Sequence, residues 1–261
     1  MHLKKSLGQH LLIAHPTVEK IARTLAPTKD DTVLEIGPGT GILTKELLKL
    51  AGHVVAVEKD SDMITSLRSL ANDSSSLEIV HSDFLELDLN IIFSESRITN
   101  HGSRLFCGNL PYNISTPILF KLRDHKDLFE RGVIMIQKEV AERLVAKSGG
   151  KDYGILSIMM QVSAKIEKCF HVSPRSFLPP PKVTSTVVKI HFYKDSPYKI
   201  KDRQLFENIV KSCFGKRRKM IRNSVPKEHL PALERAGIKS TQRPEELSIE
   251  KYVLLANTII S

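Results

Sequence analysis

Cysteine is scarce in this chain: three residues in 261, Cys107, Cys169 and Cys213. An odd number at such wide spacing excludes a disulfide framework and a zinc-ligand pattern, suits a reducing cytosol, and reads as three buried small hydrophobes. Long apolar runs are also lacking. No stretch approaches the roughly 18 apolar residues of a membrane helix, and the N-terminal "MHLKKSLGQHLLIAHP" holds only a short apolar patch broken by histidines and a proline. Internal repeats and low-complexity tracts are absent. What is left is a soluble cytoplasmic protein whose 41% of hydrophobic residues suffice for a real core.

Negative charge is in deficit, with 29 Asp+Glu against 39 Lys+Arg and a net charge of +10. Such a balance points to a polyanion as partner. The excess is local: from Lys194 onward there are 15 basic against 8 acidic residues, whereas the first 193 residues hold 24 against 21. Between residues 16 and 193, short β-branched runs alternate with amphipathic segments, the pattern of repeated βα units. Strands are expected at 32–37, 53–59, 77–83, 104–109, 132–138, 165–172 and 184–193, giving one open, mostly parallel, Rossmann-like α/β sheet of seven strands. The last two are joined by "SPRSFLPPPK" with no helix between them, so that pair is expected to be antiparallel. After Tyr193, "KDSPYKIKD" reads as a linker, and the remainder carries helical periodicity. Two domains are therefore expected, α/β over 1–195 and a small all-helical domain over 196–261.

The first strand runs into "EIGPGTG", residues 35–41. Glycines at the carboxyl end of a first strand let the backbone approach a ligand at the switch point of an open sheet. The spacing is not the dinucleotide G-x-G-x-x-G, because the sixth position is Ile42, and no G-x-x-x-x-G-K-S/T is present. Glu58 ends the second strand, where a carboxylate can accept from both hydroxyls of a ribose, and Asp83 ends the third, where it can accept from an adenine amine. Each taken singly is also an ordinary helix cap, in "KDSDM" and "SDFLE". Together they describe a pocket for an adenosine with an uncharged linkage.

"GNLPYNIS", residues 108–115, follows the fourth strand. As a bare motif it is a proline-containing turn. Placed beside a cofactor pocket, it offers Asn109 as acceptor for an exocyclic amine hydrogen, a carbonyl of Leu110 or Pro111 for the other, and Tyr112 as a stacking surface. Phe177, in "SFLPPPKV", is a candidate second face for the base, or else a core aromatic.

These motifs resemble the class I S-adenosylmethionine-dependent methyltransferases. The set "KKSLGQHLL", "LEIGPGTGILT", "GNLPYNIS", "MIQKEVAERL", "YGILSIMMQ", "FLPPPKVTSTVV" and "GKRRKMIRN" resembles, across nearly the whole chain, the small-subunit ribosomal RNA adenine N6-dimethyltransferase family. The resemblance implies S-adenosyl-L-methionine as methyl donor and no metal. It implies cofactor contacts from His10, Leu12, Glu35, Gly37, Gly39, Glu58, Asp83 and Asn109. Methyl transfer falls to Asn109, Leu110, Pro111 and Tyr112 with Phe177. The family's "GQNFL" is "GQHLL" here, so His10 stands where asparagine is usual. The implied substrate is a pair of adjacent adenines in a hairpin near the 3′ end of small-subunit rRNA, methylated late in subunit assembly by a monomer. Lys216, Arg217, Arg218, Lys219 and Arg222 are the candidate phosphate contacts. The sister group acting on large-subunit rRNA and a non-catalytic RNA-binding relative are the competing readings.

Overall fold

The computed structural model describes residues 10–72, 74–94 and 102–260, so Lys4 to Gln9 of the "KKSLGQHLL" motif lie outside the described residues. In chain order the strands are β1 (Leu11–Leu12), β2 (Thr32–Ile36), β3 (His53–Glu58), β4 (Leu77–His81), β5 (Arg104–Asn109), β6 (Arg131–Gln137), β7 (Ala164–Val172), β8 (Phe177–Leu178) and β9 (Ser185–Phe192). The α-helices are α1 (His15–Leu25), α2 (Ile42–Leu50), α3 (Ser61–Asn72), α4 (Leu89–Ile92), α5 (Ser115–Asp124), α6 (Lys138–Val145), α7 (Ile155–Gln161), α8 (Arg203–Gly215), α9 (Leu230–Arg235) and α10 (Ile249–Ile260).

Seven strands form one sheet in the order β4-β3-β2-β5-β6-β9-β7. The pairs β2–β3, β2–β5, β3–β4 and β5–β6 are parallel and β6–β9 is antiparallel. The central strands carry apolar residues on both faces because helices cover both, so β2 is buried along its whole length. At the edge, β7 is largely exposed, which explains its polar "KIEKC" and puts Cys169 at the surface. The expectation of three buried cysteines therefore holds for Cys107 and Cys213 only; a strand with one open edge has no interior in which to hide the third. Helix α1 begins with a proline in its first turn, where no backbone N–H partner is lost, and buries Val18, Ile21, Ala22 and Leu25 on one stripe.

The residues group into two compact units. One takes in the chain up to Ala141 and Lys165–Phe192; the other takes in Glu142–Ala164 and the chain from Tyr193. The sequence-based division at 195/196 had left 142–164 with the sheet. Within the second unit, Tyr153 packs edge-on against Phe214 at 6.1 Å, Phe214 lies 6.1 Å from Tyr252, and Gln161 donates to the Leu144 and Ala146 carbonyls. Those aromatic contacts bring the segment to the helical tail, and the apolar run "YGILSIMM" gave no warning of which body it would join.

Candidate active site

The carboxyl ends of β2, β3, β4 and β5 converge where successive connections leave in opposite directions, between β2 and β5. That is the switch point at which open α/β sheets bind ligands. A cavity of ≈ 260 Å³ opens there. Its walls include Ile36, Gly37 and Gly39 at the end of β2, Glu58 and Lys59 at the end of β3, Asp83 and Phe84 after β4, and Asn109 to Ile114 at the end of β5.

Two glycines allow the walls to meet. Gly39 sits at φ +57°, and a Cβ on it would lie 3.1 Å from Leu11 Cδ2. Gly108 has no room for a side chain at all, since a Cβ would lie 2.4 Å from the Ile36 carbonyl oxygen. That close approach of β5 to β2 sets Asn109 beside the glycine turn: a Cβ on Gly37 would stand 3.9 Å from the Asn109 carbonyl oxygen.

Glu58 is buried, and burial raises its pKa while the amides of Asp60 and Gly39 oppose the shift. Its Oε2 accepts from the Gly39 N–H at 3.0 Å and its Oε1 from the Asp60 N–H at 2.8 Å. The carboxylate thus fixes the turn and still has lone-pair capacity for a ligand hydroxyl. Asp83 lies two residues past β4. Its Oδ2 pairs with Lys59 Nζ at 2.7 Å and its Oδ1 accepts from the Leu85 N–H at 2.9 Å. The Lys59 bond holds its carboxyl below the usual range. Lys59 and Phe84 are cavity residues that the motifs do not single out; of the two only Phe84, an aromatic directly after a strand-end acid, leaves a signal.

Asn109 ends β5. Its Nδ2 donates to the His10 carbonyl oxygen at 2.9 Å, whereas its Oδ1 is buried and has no hydrogen-bond partner among the described residues. Leaving a buried acceptor unpaired costs about 1–3 kcal/mol. Asn109 lines the cavity wall, so the unpaired acceptor belongs to a residue of the pocket. The next residues are held as firmly. Leu110 N–H donates to the Met135 carbonyl at 3.0 Å, and Ile114 N–H donates to the Pro111 carbonyl at 3.2 Å. The Tyr112 hydroxyl shares a 2.6 Å hydrogen bond with the buried Ser185 Oγ on β9.

Several expected contacts fall elsewhere. Leu12 pairs with Phe177 across β1–β8, and both are buried in the hydrophobic core away from the cavity. A strand alternates its side chains, so when Leu12 turns to the core, Leu11 faces the cavity. Phe177 is therefore a core aromatic in this structure, off the cavity wall. Glu35 lies inside the sheet, fully buried and off the cavity wall, where burial pushes its pKa up to about 8 and the Glu58 carboxylate adds to the shift. In the second unit, Arg217 is tied to the carbonyls of Gly150 and Lys151, and to Glu245 at 3.8 Å. Lys216 donates to the Asn223 carbonyl at 3.2 Å, and Arg218, Lys219 and Arg222 are exposed.

With β9 as the strand antiparallel to its neighbour β6 and the cleft between β2 and β5, the architecture is that of the class I S-adenosylmethionine-dependent methyltransferases. A family model described as ribosomal RNA adenine dimethylase matches residues 1–261. The chain is 39% identical over 255 residues to the ribosomal RNA small subunit methyltransferase A of Xylella fastidiosa (strain Temecula1 / ATCC 700964), covering 97% of this chain and 95% of that protein. Among solved structures it is similar to a dimethyladenosine transferase from Plasmodium falciparum, with TM-score 0.80 and 30% identity over 94% of this chain and 96% of that one. It is also similar to the 23S rRNA methyltransferase ErmE, with TM-score 0.72 and 25% identity over 96% of this chain and 100% of that one. The chain belongs to the ribosomal RNA adenine dimethylase family.

Proposed function

We propose that this protein dimethylates the N6 amines of two adjacent adenines in a hairpin loop near the 3′ end of small-subunit rRNA, using S-adenosyl-L-methionine, late in assembly of the subunit. The observation that carries the chemistry is the buried, unpartnered Oδ1 of Asn109 where the glycine turn and the "NLPY" loop meet. The choice of RNA is supported by a relative of 39% identity named for the small subunit, against 25% for the one named for 23S rRNA.

The residues fit the donor. The left-handed glycine turn admits a ligand close to its backbone, Glu58 offers its remaining lone-pair capacity to a ribose, and apolar Ile36, Val57 and Phe84 line the space beside it. Bound there, S-adenosylmethionine supplies an electrophilic methyl group on a sulfonium. An adenine amine is a poor nucleophile because its lone pair is delocalised into the ring. Asn109 Oδ1 accepts one amine hydrogen. A carbonyl of Leu110 or Pro111 accepts the other, Pro111 with the lone pair that Ile114 leaves it. These two acceptors favour the pyramidal, electron-rich nitrogen that attacks. Tyr112, pinned by Ser185, holds the base plane, and fixing both partners lowers the barrier by prepaid entropy. No general base is needed, because an amine that has gained a methyl group becomes a strong acid. Asp83, paired with Lys59, would hold the adenine end of the donor.

Lys216, Arg218, Lys219 and Arg222 are proposed to bind rRNA phosphates, while Arg217 serves the helical unit itself. The residues from 196 onward are proposed as the RNA-binding domain, together with the 142–164 segment. A monomer acting in the cytoplasm suits this reading; among the described residues no helix is long and apolar enough to cross a membrane. Incubating the protein with S-adenosylmethionine and undermethylated small subunits, then digesting the RNA and measuring N6,N6-dimethyladenosine by mass spectrometry, tests the proposal. Two dimethylated residues per subunit support it, and their absence with active protein refutes it.

A further inference from the structure

Three contacts converge on His10, a residue of the cavity wall. Its main-chain carbonyl accepts from Asn109 Nδ2 at 2.9 Å. Its ring stacks on Tyr112, with centroids 5.4 Å apart and planes at 30°. Its Nδ1 lies 2.8 Å from the Pro179 carbonyl oxygen, an acceptor, so Nδ1 carries the hydrogen and donates. His10 lines the cavity, and among the described residues its two hydrogen bonds go to Pro179 and Asn109 and not to the glycine turn.

We propose that His10 is a positioning residue for methyl transfer, holding the Asn109 amide and the Tyr112 ring as one preassembled unit. Asn109 can point its amide in two senses. Its Nδ2 needs an acceptor if Oδ1 is to stay free for a ligand, and the His10 carbonyl is that acceptor. A carbonyl at the end of a two-residue strand is poorly fixed by its own ladder. The imidazole supplies the fixation at both ends: the Pro179 hydrogen bond ties it to the chain after β8, and the Tyr112 stack ties it to the chain after β5. Tyr112 gains in turn, since its hydroxyl is held by Ser185 and one face of its ring by His10. The inference rests on the proposed adenine chemistry for its consequence, though not for its geometry.

The test uses the full-length protein with His10→Ala, His10→Phe, which keeps a ring without the donor, and His10→Asn, which keeps a donor without the ring. Expected for His10→Ala is a fall in kcat of tenfold or more, with the Kd for S-adenosylmethionine, measured by calorimetry, within threefold of wild type. His10→Phe and His10→Asn each recover part of the loss. A rise of tenfold in that Kd with kcat at saturation intact would make His10 a cofactor contact and overturn the proposal, as would an unchanged kcat. A readout independent of turnover is the NMR hydrogen exchange of the Asn109 side-chain amide. It should accelerate by tenfold or more in His10→Ala, and an unchanged exchange rate defeats the positioning role. If wild-type protein methylates no small-subunit RNA, the function reading fails, and the exchange measurement still decides His10.

Discussion

Replacing Asn109 with alanine separates the chemistry from the fold. The substitution deletes two things at once. One is the Nδ2 bond to the His10 carbonyl, 2.9 Å long and worth about 1 kcal/mol net. The other is a buried Oδ1 without a partner among the described residues, whose presence costs about 1–3 kcal/mol. The two offset, so Asn109→Ala should lose no more than about 1 kcal/mol of folding stability and can gain about 1–2. Catalysis has no such compensation. Removing one preorganised hydrogen-bonding group from a site where charge develops costs about 10²–10³ in rate, or about 2.7–4 kcal/mol. The assay pairs urea unfolding with single-turnover transfer of labelled methyl to undermethylated small subunits, with calorimetry for the methyl donor. Expected are near-native unfolding, a donor affinity within a few fold, and a transfer rate lower by about 10²–10³. A stability loss of about 3 kcal/mol would show that the amide supports the fold, and a rate within tenfold of wild type would refute its role as acceptor.

Tyr112→Phe retains the stacking ring but strands the buried Ser185 Oγ; unfolding experiments should show a loss of about 1–3 kcal/mol with transfer reduced less than tenfold, whereas Tyr112→Ala should weaken base binding by a further 1–3 kcal/mol, about 5- to 150-fold in KM for RNA. Glu35 gives a pH signature. Its folded pKa of about 8 lies above the ordinary 4.5, so the folded chain keeps a proton that the unfolded chain releases. Its contribution is therefore fully present below 4.5, declines by up to about 1.4 kcal/mol per pH unit as pH rises toward 8, and is flat beyond. Glu35→Gln should remove that slope from urea midpoints taken between pH 5 and 9, and an identical slope in both proteins would contradict a neutral Glu35. Lys219→Gln with Arg222→Gln should lower RNA affinity and reduce the salt slope by about 0.7 per lost contact to single-stranded RNA; Arg217→Gln should instead lower the melting temperature of the helical unit, because its partners are Gly150, Lys151 and Glu245.

Much of this site was legible in the residues because strand ends announce themselves. Apolar runs stop at Ile36, Val57 and Cys107, and the glycines, acid or amide that the sheet carries to the switch point come directly after them. Side-chain direction was less legible. Whether Leu11 or Leu12 faces the cavity depends on pairing with Leu178 and Phe177, a two-residue ladder to a segment more than 160 positions away, with no periodicity to reveal it. The same ladder draws Phe177 into the core. Glu35 was read as a ligand because it precedes the glycine turn, yet inside a strand covered on both faces it has nowhere to go but inward. The partners of charged groups also escaped: Asp83 bonded to Lys59 and Arg217 bonded to carbonyls are tertiary facts that spacing does not encode. His10 shows the converse, a departure from a motif that was visible in the sequence while its three contacts were not.

The central claim is the identity of the acceptor. Labelled S-adenosylmethionine should be offered with this protein to undermethylated small subunits, large subunits and naked rRNA, and the label mapped by primer extension, which stops at dimethylated adenines. Stops at two adjacent adenines near the 3′ end of the small-subunit RNA are the predicted result. Label confined to large-subunit RNA would contradict the account.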